Sequence, residues 1–299
     1  MTNYLLLCLL ISALLSCTPV LTPIPLTQAA RTYRAISTCN ISSVITADDF
    51  EEPQFPFYFL NQATNKSDIS FSPEQSRAGN TSLKFHLTSQ PNKLSPPGNY
   101  ASRAELSTFS SNIDTTEAWY GFSMFVPAAT MKNDAYPVLL MQWPSSYFGY
   151  KGGYSYGTPP ILLILQPNSK LQLIYSYSPT TPVAPNQAAI GPSVTRNLGK
   201  ITFDQWVDYV VHVRFSPAAL TGILQLWQDG TPVVNEQRIR LGYRAGKPLW
   251  KFGINCYTGS ASHTEKTVYF DQIRIGTQTA CYDAVAPAST NGVFKPLQQ

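Results

Sequence analysis

Apolar and polar residues alternate along much of the chain, the period of two expected of strands half-buried in a sheet. TSLKFHLT (81–88) sets Leu83, Phe85 and Leu87 against Lys84 and His86. WVDYVVHVRFS (206–216) sends Val207, Tyr209, Val211, Val213 and Phe215 one way. Trp206, Asp208, Val210, His212 and Arg214 go the other. AWYGFSMFVP (118–127) and YPVLLMQWP (136–144) are richly apolar and close on proline. PPILLILQP (159–167), LQLIYSYS (171–178), ILQLWQDG (223–230), KFGINCYTG (251–259) and TVYFDQIRIG (267–276) complete the series. Asp229-Gly230, between ILQLWQ and TPVV, predicts a two-residue hairpin. No stretch keeps a helical period beyond two turns, and no repeat is visible. Short strands joined by polar turns predict an all-β fold, a single jelly-roll β-sandwich over residues 38–283 with a tail over 284–299.

The first 30 residues break this pattern. Leu5 to Leu15 form an apolar run, too short for a bilayer, which needs about 20 such residues, but suited to a signal segment. Its n-region, MTNY, carries no Lys or Arg. Leu14-Leu15-Ser16-Cys17 resembles the bacterial lipobox, in which the cysteine is lipidated. Simple cleavage near Ala29-Ala30 is the other reading. Both predict export, as a secreted protein or a bacterial cell-envelope lipoprotein that meets a membrane only through Cys17. TPVLTPIPLTQ (18–28) reads as a tether. Export permits disulfides. Cys39 and Cys281 bracket the strand region and are the expected pair, with Cys256 buried and free.

Charge changes the picture further. Asp, Glu, Lys and Arg make up 13% of the chain, against about 25% usually. The net charge is +4, and Arg238, Arg240, Arg244, Lys247 and Lys251 crowd one short stretch. A polyanionic partner fits that stretch, as does a solvated basic edge. No nucleic-acid motif is present, and a monomer is expected. Against this frugality, NYASRAELSTF (99–109) places Arg103, Glu105 and Ser107 on one strand face. An exposed ion pair accounts for that face; so does a polar trough for an extended ligand. Asp48, Asp49, Glu51, Glu52 and Asp271 offer oxygen ligands for a structural Ca²⁺ site, although no cofactor is required. No zinc spacing or phosphate loop is present.

Four segments together resemble the concanavalin-like polysaccharide lyases, the group of glucuronan lyases and heparin lyase I, with alginate lyases more distant. They are Arg103-Ala-Glu105-Leu106, Met141-Gln142-Trp143, the Trp206 strand running through SPAALTGILQLWQDG, and Lys251-Phe-Gly253-Ile254. The resemblance implies β-elimination at a uronic acid in an acidic polysaccharide. A base removes the C5 proton, donors neutralise the carboxylate, and an acid protonates O4. It gives Arg103 and Gln142 the neutralising role and lets Glu105 hold Arg103 or accept a sugar hydroxyl. Trp143, Lys251 and Asn255 join the substrate-binding group. The family's histidine position holds Pro144 and its tyrosine position holds Asn255. Tyr257 lies two residues on, on the same face as Asn255, and is the candidate proton carrier. Of the histidines His86, His212 and His263, His212 is the candidate base. The loop SSYFGYKGGYSYG (145–157) reads as a lid whose Tyr154 and Tyr156 stack on sugar rings. A non-catalytic sugar-binding module of the same fold is the alternative.

Overall fold

The computed structural model describes residues 43–54, 59–63, 65–88, 102–108, 116–146, 159–179, 192–244, 247–256 and 264–287. By contacts the chain divides into Met1–Thr38 and Cys39–Gln299, and every described residue belongs to the second unit. The signal, tether and lipidation expectations, Cys39, Tyr154, Tyr156 and Tyr257 therefore lie outside the described residues.

The chain begins with β1 (Val44–Asp48), β2 (Phe59–Asn61), β3 (Ile69–Ser72), β4 (Ser82–Leu87), β5 (Ser102–Thr108) and β6 (Glu117–Phe125). After α1 (Ala128–Met131) come β7 (Val138–Gln142), β8 (Ser145–Ser146), β9 (Ile161–Leu165), β10 (Lys170–Tyr175), β11 (Tyr177–Ser178) and β12 (Val194–Lys200). The second half holds β13 (Trp206–Arg214), β14 (Gly222–Gln228), β15 (Thr231–Ile239), β16 (Gly242–Tyr243) and β17 (Lys247–Pro248). It ends with β18 (Lys251–Cys256), β19 (Lys266–Gly276) and α2 (Tyr282–Val285).

Two large antiparallel sheets make a jelly-roll sandwich. One runs β15-β14-β13-β6-β19-β4-β3, with β1 also paired to β19; the other runs β12-β10-β9-β7-β18-β5-β2. The β14–β15 hairpin turns at Asp229 and Gly230, both with positive φ (46° and 77°), as a two-residue turn of the mirror-image type requires.

Alternation sets the core. Val207, Tyr209, Val211 and Val213 of β13 face inward against Phe122 and Met124 of β6. Phe85, Phe252 and Phe270 meet edge-to-face or tilted at 5.1–5.6 Å between ring centres, and Trp250 stacks on Phe252 at 4.6 Å. Each of these buried rings contributes about 1.5–3 kcal/mol by leaving water.

Two of the acids offered for a Ca²⁺ site bond backbone N–H groups. Glu51 accepts the N–H groups of Asn80 and Thr81, and Asp271 accepts those of Arg77 and Ala78. Among the described residues no three His, Cys, Asp or Glu side chains form a metal-holding group. Cys256 is a buried free thiol.

Candidate active site

β5, β18 and β7 are neighbours, and their outward residues form one polar patch. β5 pairs with β18 in unbroken register, so Arg103 lies opposite Asn255, Glu105 opposite Gly253 and Ser107 opposite Lys251. Ala104 and Leu106 point into the core. On the far side of β18, Gln142 lies opposite Lys251.

The outward position of Gln142 depends on an irregularity. Leu139 pairs with Ile164 but Met141 pairs with Leu163, so β7 carries an extra residue between them. Leu139 packs outside the sandwich with Leu162 and Ile164, whereas Met141 joins the core. Strict alternation from Leu139 would send Gln142 inward; the bulge turns it out. The same step sends Trp143 in, where it is 1% exposed and stacks with Trp250 at 6.4 Å between ring centres. The substrate-binding expectation for Trp143 is corrected accordingly: it is a core residue, because a neighbour of an outward Gln142 must point inward.

Glu105 is the hub of the patch. Its Oε1 accepts from Gln142 Nε2 at 2.5 Å and its Oε2 accepts from Asn255 Nδ2 at 3.0 Å. Both carboxylate oxygens are thus engaged by amides, and Glu105 orients Gln142 and Asn255 rather than Arg103. Burial pushes the Glu105 carboxyl up, opposed by the charge of Lys251, the Gln142 amide, Arg103 and the Asn255 amide. Burial likewise pushes the Lys251 ammonium down, against the pull of Glu105.

Gly253, opposite Glu105 on β18, takes a backbone conformation that needs glycine. Its φ is 128°, and a Cβ there would stand 2.3 Å from the Ala104 carbonyl oxygen and 2.6 Å from the Phe85 ring. Only glycine fits.

Three groups in the patch have hydrogen-bonding capacity left. Among the described residues the Arg103 guanidinium donates no hydrogen bond, and Asn255 Oδ1 is buried without a partner. Gln142 has a second amide hydrogen beyond the one given to Glu105. Donors and a cation therefore converge with one unsatisfied acceptor, an arrangement able to hold a carboxylate and a hydroxyl together. Beside it, Leu162 and Ile164 form an apolar floor, followed by an amide ladder in which Gln166 donates to Gln172 (2.8 Å) and Gln172 to Asn197 (2.7 Å). The sequence hint for that floor was ILLIL, apolar at every position and buried at every position.

His212 is elsewhere. β13 belongs to the other sheet, and His212 points out from that sheet's far side. Its ring stacks on Trp119 at 3.9 Å and its nitrogens bond Gln225 Oε1 and Glu117 Oε1, both at 2.9 Å. The expectation of a base is corrected: the sandwich separates His212 from Gln142 by its whole thickness, about 10 Å between sheets. His86 bonds Thr267 on the same sheet.

The model of the polysaccharide lyase family matches residues 45–274. No curated protein matches the chain. An endo-β-1,4-glucuronan lyase from the fungus Trichoderma reesei shares 18% identity, covering 82% of this chain and 98% of that one, with a TM-score of 0.64. An alginate lyase from a Chlorella virus shares 12%, covering 73% and 90%, with a TM-score of 0.47. A marine alginate lyase from Aplysia kurodai shares 12%, covering 74% and 90%, with a TM-score of 0.46. With the family model spanning most of a jelly-roll chain, the protein belongs to the polysaccharide lyases.

Proposed function

We propose that the protein is an exported lyase that cleaves a uronate-containing polysaccharide by β-elimination on the face carrying Arg103, Gln142, Lys251 and Asn255. The observation that carries this reading is the convergence of those side chains around Glu105 on three adjacent strands. β-Elimination needs such a group. Removing the C5 proton sends charge into the adjacent carboxylate, and preorganised donors aimed at that charge lower the barrier by several kcal/mol. Arg103 supplies a charged fork for the carboxylate and Gln142 its free amide hydrogen.

The remaining steps balance simply. The base takes the C5 proton, the C4–C5 double bond forms, the C4–O4 bond breaks, and O4 receives a proton. Tyr257 is the proposed proton carrier, two residues past Asn255. Lys251, whose ammonium faces this patch, favours its phenolate. Asn255 Oδ1 accepts a sugar hydroxyl, and Tyr154 and Tyr156 supply stacking faces. Export follows from the apolar segment at Leu5–Leu15, and the Cys39–Cys281 bond from the bracketing of the strand region.

The experiment is incubation with a panel of polyuronates, including glucuronan and alginate, while following the ultraviolet absorbance of the unsaturated ends. At least one polymer is expected to yield them, and Tyr257→Phe is expected to lower that rate by about 10²–10⁴-fold. Absence of unsaturated product across the panel refutes the reading; a near-normal Tyr257→Phe moves the proton transfer to another group.

A further inference from the structure

A cleft of about 300 Å³ opens away from Arg103 and Gln142, at the edge of the sandwich. Tyr175, Tyr177, Leu220, Arg238, Ile239 and Arg240 line it. It sits where β12, the last strand of one sheet, meets β15, the last strand of the other, and Arg196 of β12 bonds Glu236 of β15 at 2.5 Å. Its volume is at the small end of ligand pockets, which run from about 300 to 1,000 Å³.

Three consecutive residues, Arg238 to Arg240, border this one cleft, which the alternation of a regular strand does not allow. The backbone explains it. Arg238 has φ 56°, and the pairing slips there, Ile223 facing Gln237 but Gly222 facing Ile239. A left-handed arginine in an edge strand is a local strain of the kind that gathers at binding sites. Arg240 lies over the Tyr177 ring, 5.6 Å from its centre. Glu236 is engaged by Arg196, and among the described residues neither Arg238 nor Arg240 has an acidic partner. Leu220, 62% exposed, adds apolar surface at the rim. Tyr177 beside two guanidinium forks without acidic partners suits a sugar ring bearing a carboxylate.

We propose that this edge cleft is an accessory subsite for a uronate unit of the polysaccharide, separate from the point of cleavage. The proposal rests on the reading that the substrate is a polyuronate. From β5, which carries Arg103, the outer face crosses β18, β7, β9 and β10 to reach β12, five strand steps or roughly 24 Å. The Gln166–Gln172–Asn197 ladder paves the last part of that path. A chain held at Arg103 therefore reaches the cleft only when it is several units long.

The test compares a long polyuronate with its tetrasaccharide, using the wild type and Arg238→Gly/Arg240→Gln, in which glycine keeps the left-handed backbone. KM for the polymer is expected to rise about five- to tenfold at unchanged kcat, with the tetrasaccharide unaffected. Tyr177→Ala, tested alone so that one folding failure decides nothing, is expected to act in the same direction. Arg244→Ala, which removes one positive charge outside the cleft where the double variant removes two, is expected to stay within about twofold. An unchanged polymer KM in the double variant, or an equal effect of Arg244→Ala, overturns the subsite. Should the wild type release no unsaturated ends, the β-elimination reading fails, and retardation in gels containing glucuronan judges the cleft alone. Loss of retardation in the double variant supports the subsite, and unchanged retardation overturns it.

Discussion

Two residues that the sequence offers as catalytic candidates part company in the folded chain. Gln142 is a polar side chain on an apolar strand, and His212 shares a strand face with Asp208 and Arg214. Gln142 is bound to Glu105 and keeps a donor for a ligand, whereas both nitrogens of His212 are taken by protein partners. His212→Ala is accordingly expected to leave the lyase rate within about twofold. It removes two buried hydrogen bonds and a stacking contact, and should lower stability by about 2–3 kcal/mol. Denaturant unfolding beside a rate assay checks both halves; a large rate loss without a stability loss contradicts this assignment. Glu105 was readable as an outward acid but not as the orienter of two amides, since its partners come from strands 37 and 150 positions away.

At the scale of elements, strands with clean alternation were legible and those without were not. β13 and β4 read directly from the chain, and so did the Asp229-Gly230 hairpin. β12 did not: VTRNLGK has no buried position, because an edge strand offers little apolar surface. The bulge in β7 was also hidden, since YPVLLMQW is apolar enough to satisfy either register and the choice rests on pairing with β9 and β18. Alternation alone therefore places neither Gln142 outward nor Trp143 inward. β18 depends on one residue that sequence marked only as part of a motif. Gly253→Ala is expected to destabilise the fold by about 3 kcal/mol or more, combining a disfavoured φ with collisions at Ala104 and Phe85. Chemical denaturation measures it, and a change below about 1 kcal/mol contradicts the close approach described.

For the whole molecule, the β1–β19 region carries a pH dependence. Asp271 is fully buried, and burial, aided by Asp49, pushes its carboxyl up to about 7 despite three backbone N–H donors. Asp48 is pushed up to about 6 by burial. In both cases the folded state holds the proton more tightly than the unfolded chain. Their contribution to stability is therefore greatest below about pH 4, falls as pH rises through the folded values, and is level above. The unfolding midpoint is expected to decline between about pH 5 and 8, and Asp271→Asn should flatten that decline. A midpoint that rises over this range, in wild type as in the variant, contradicts the burial of Asp271.

The central claim is that the Arg103 face neutralises a uronate carboxylate as charge builds on it. The most direct measurement is the steady-state kinetics of Arg103→Ala on the polyuronate the wild type cleaves best. Charge on the carboxylate grows toward the transition state, so kcat should fall by about 10²–10³-fold while KM moves only a few-fold. A rise in KM at unchanged kcat would mean that Arg103 merely holds the substrate, and unaltered kinetics would place the chemistry on another face; either result contradicts the mechanism.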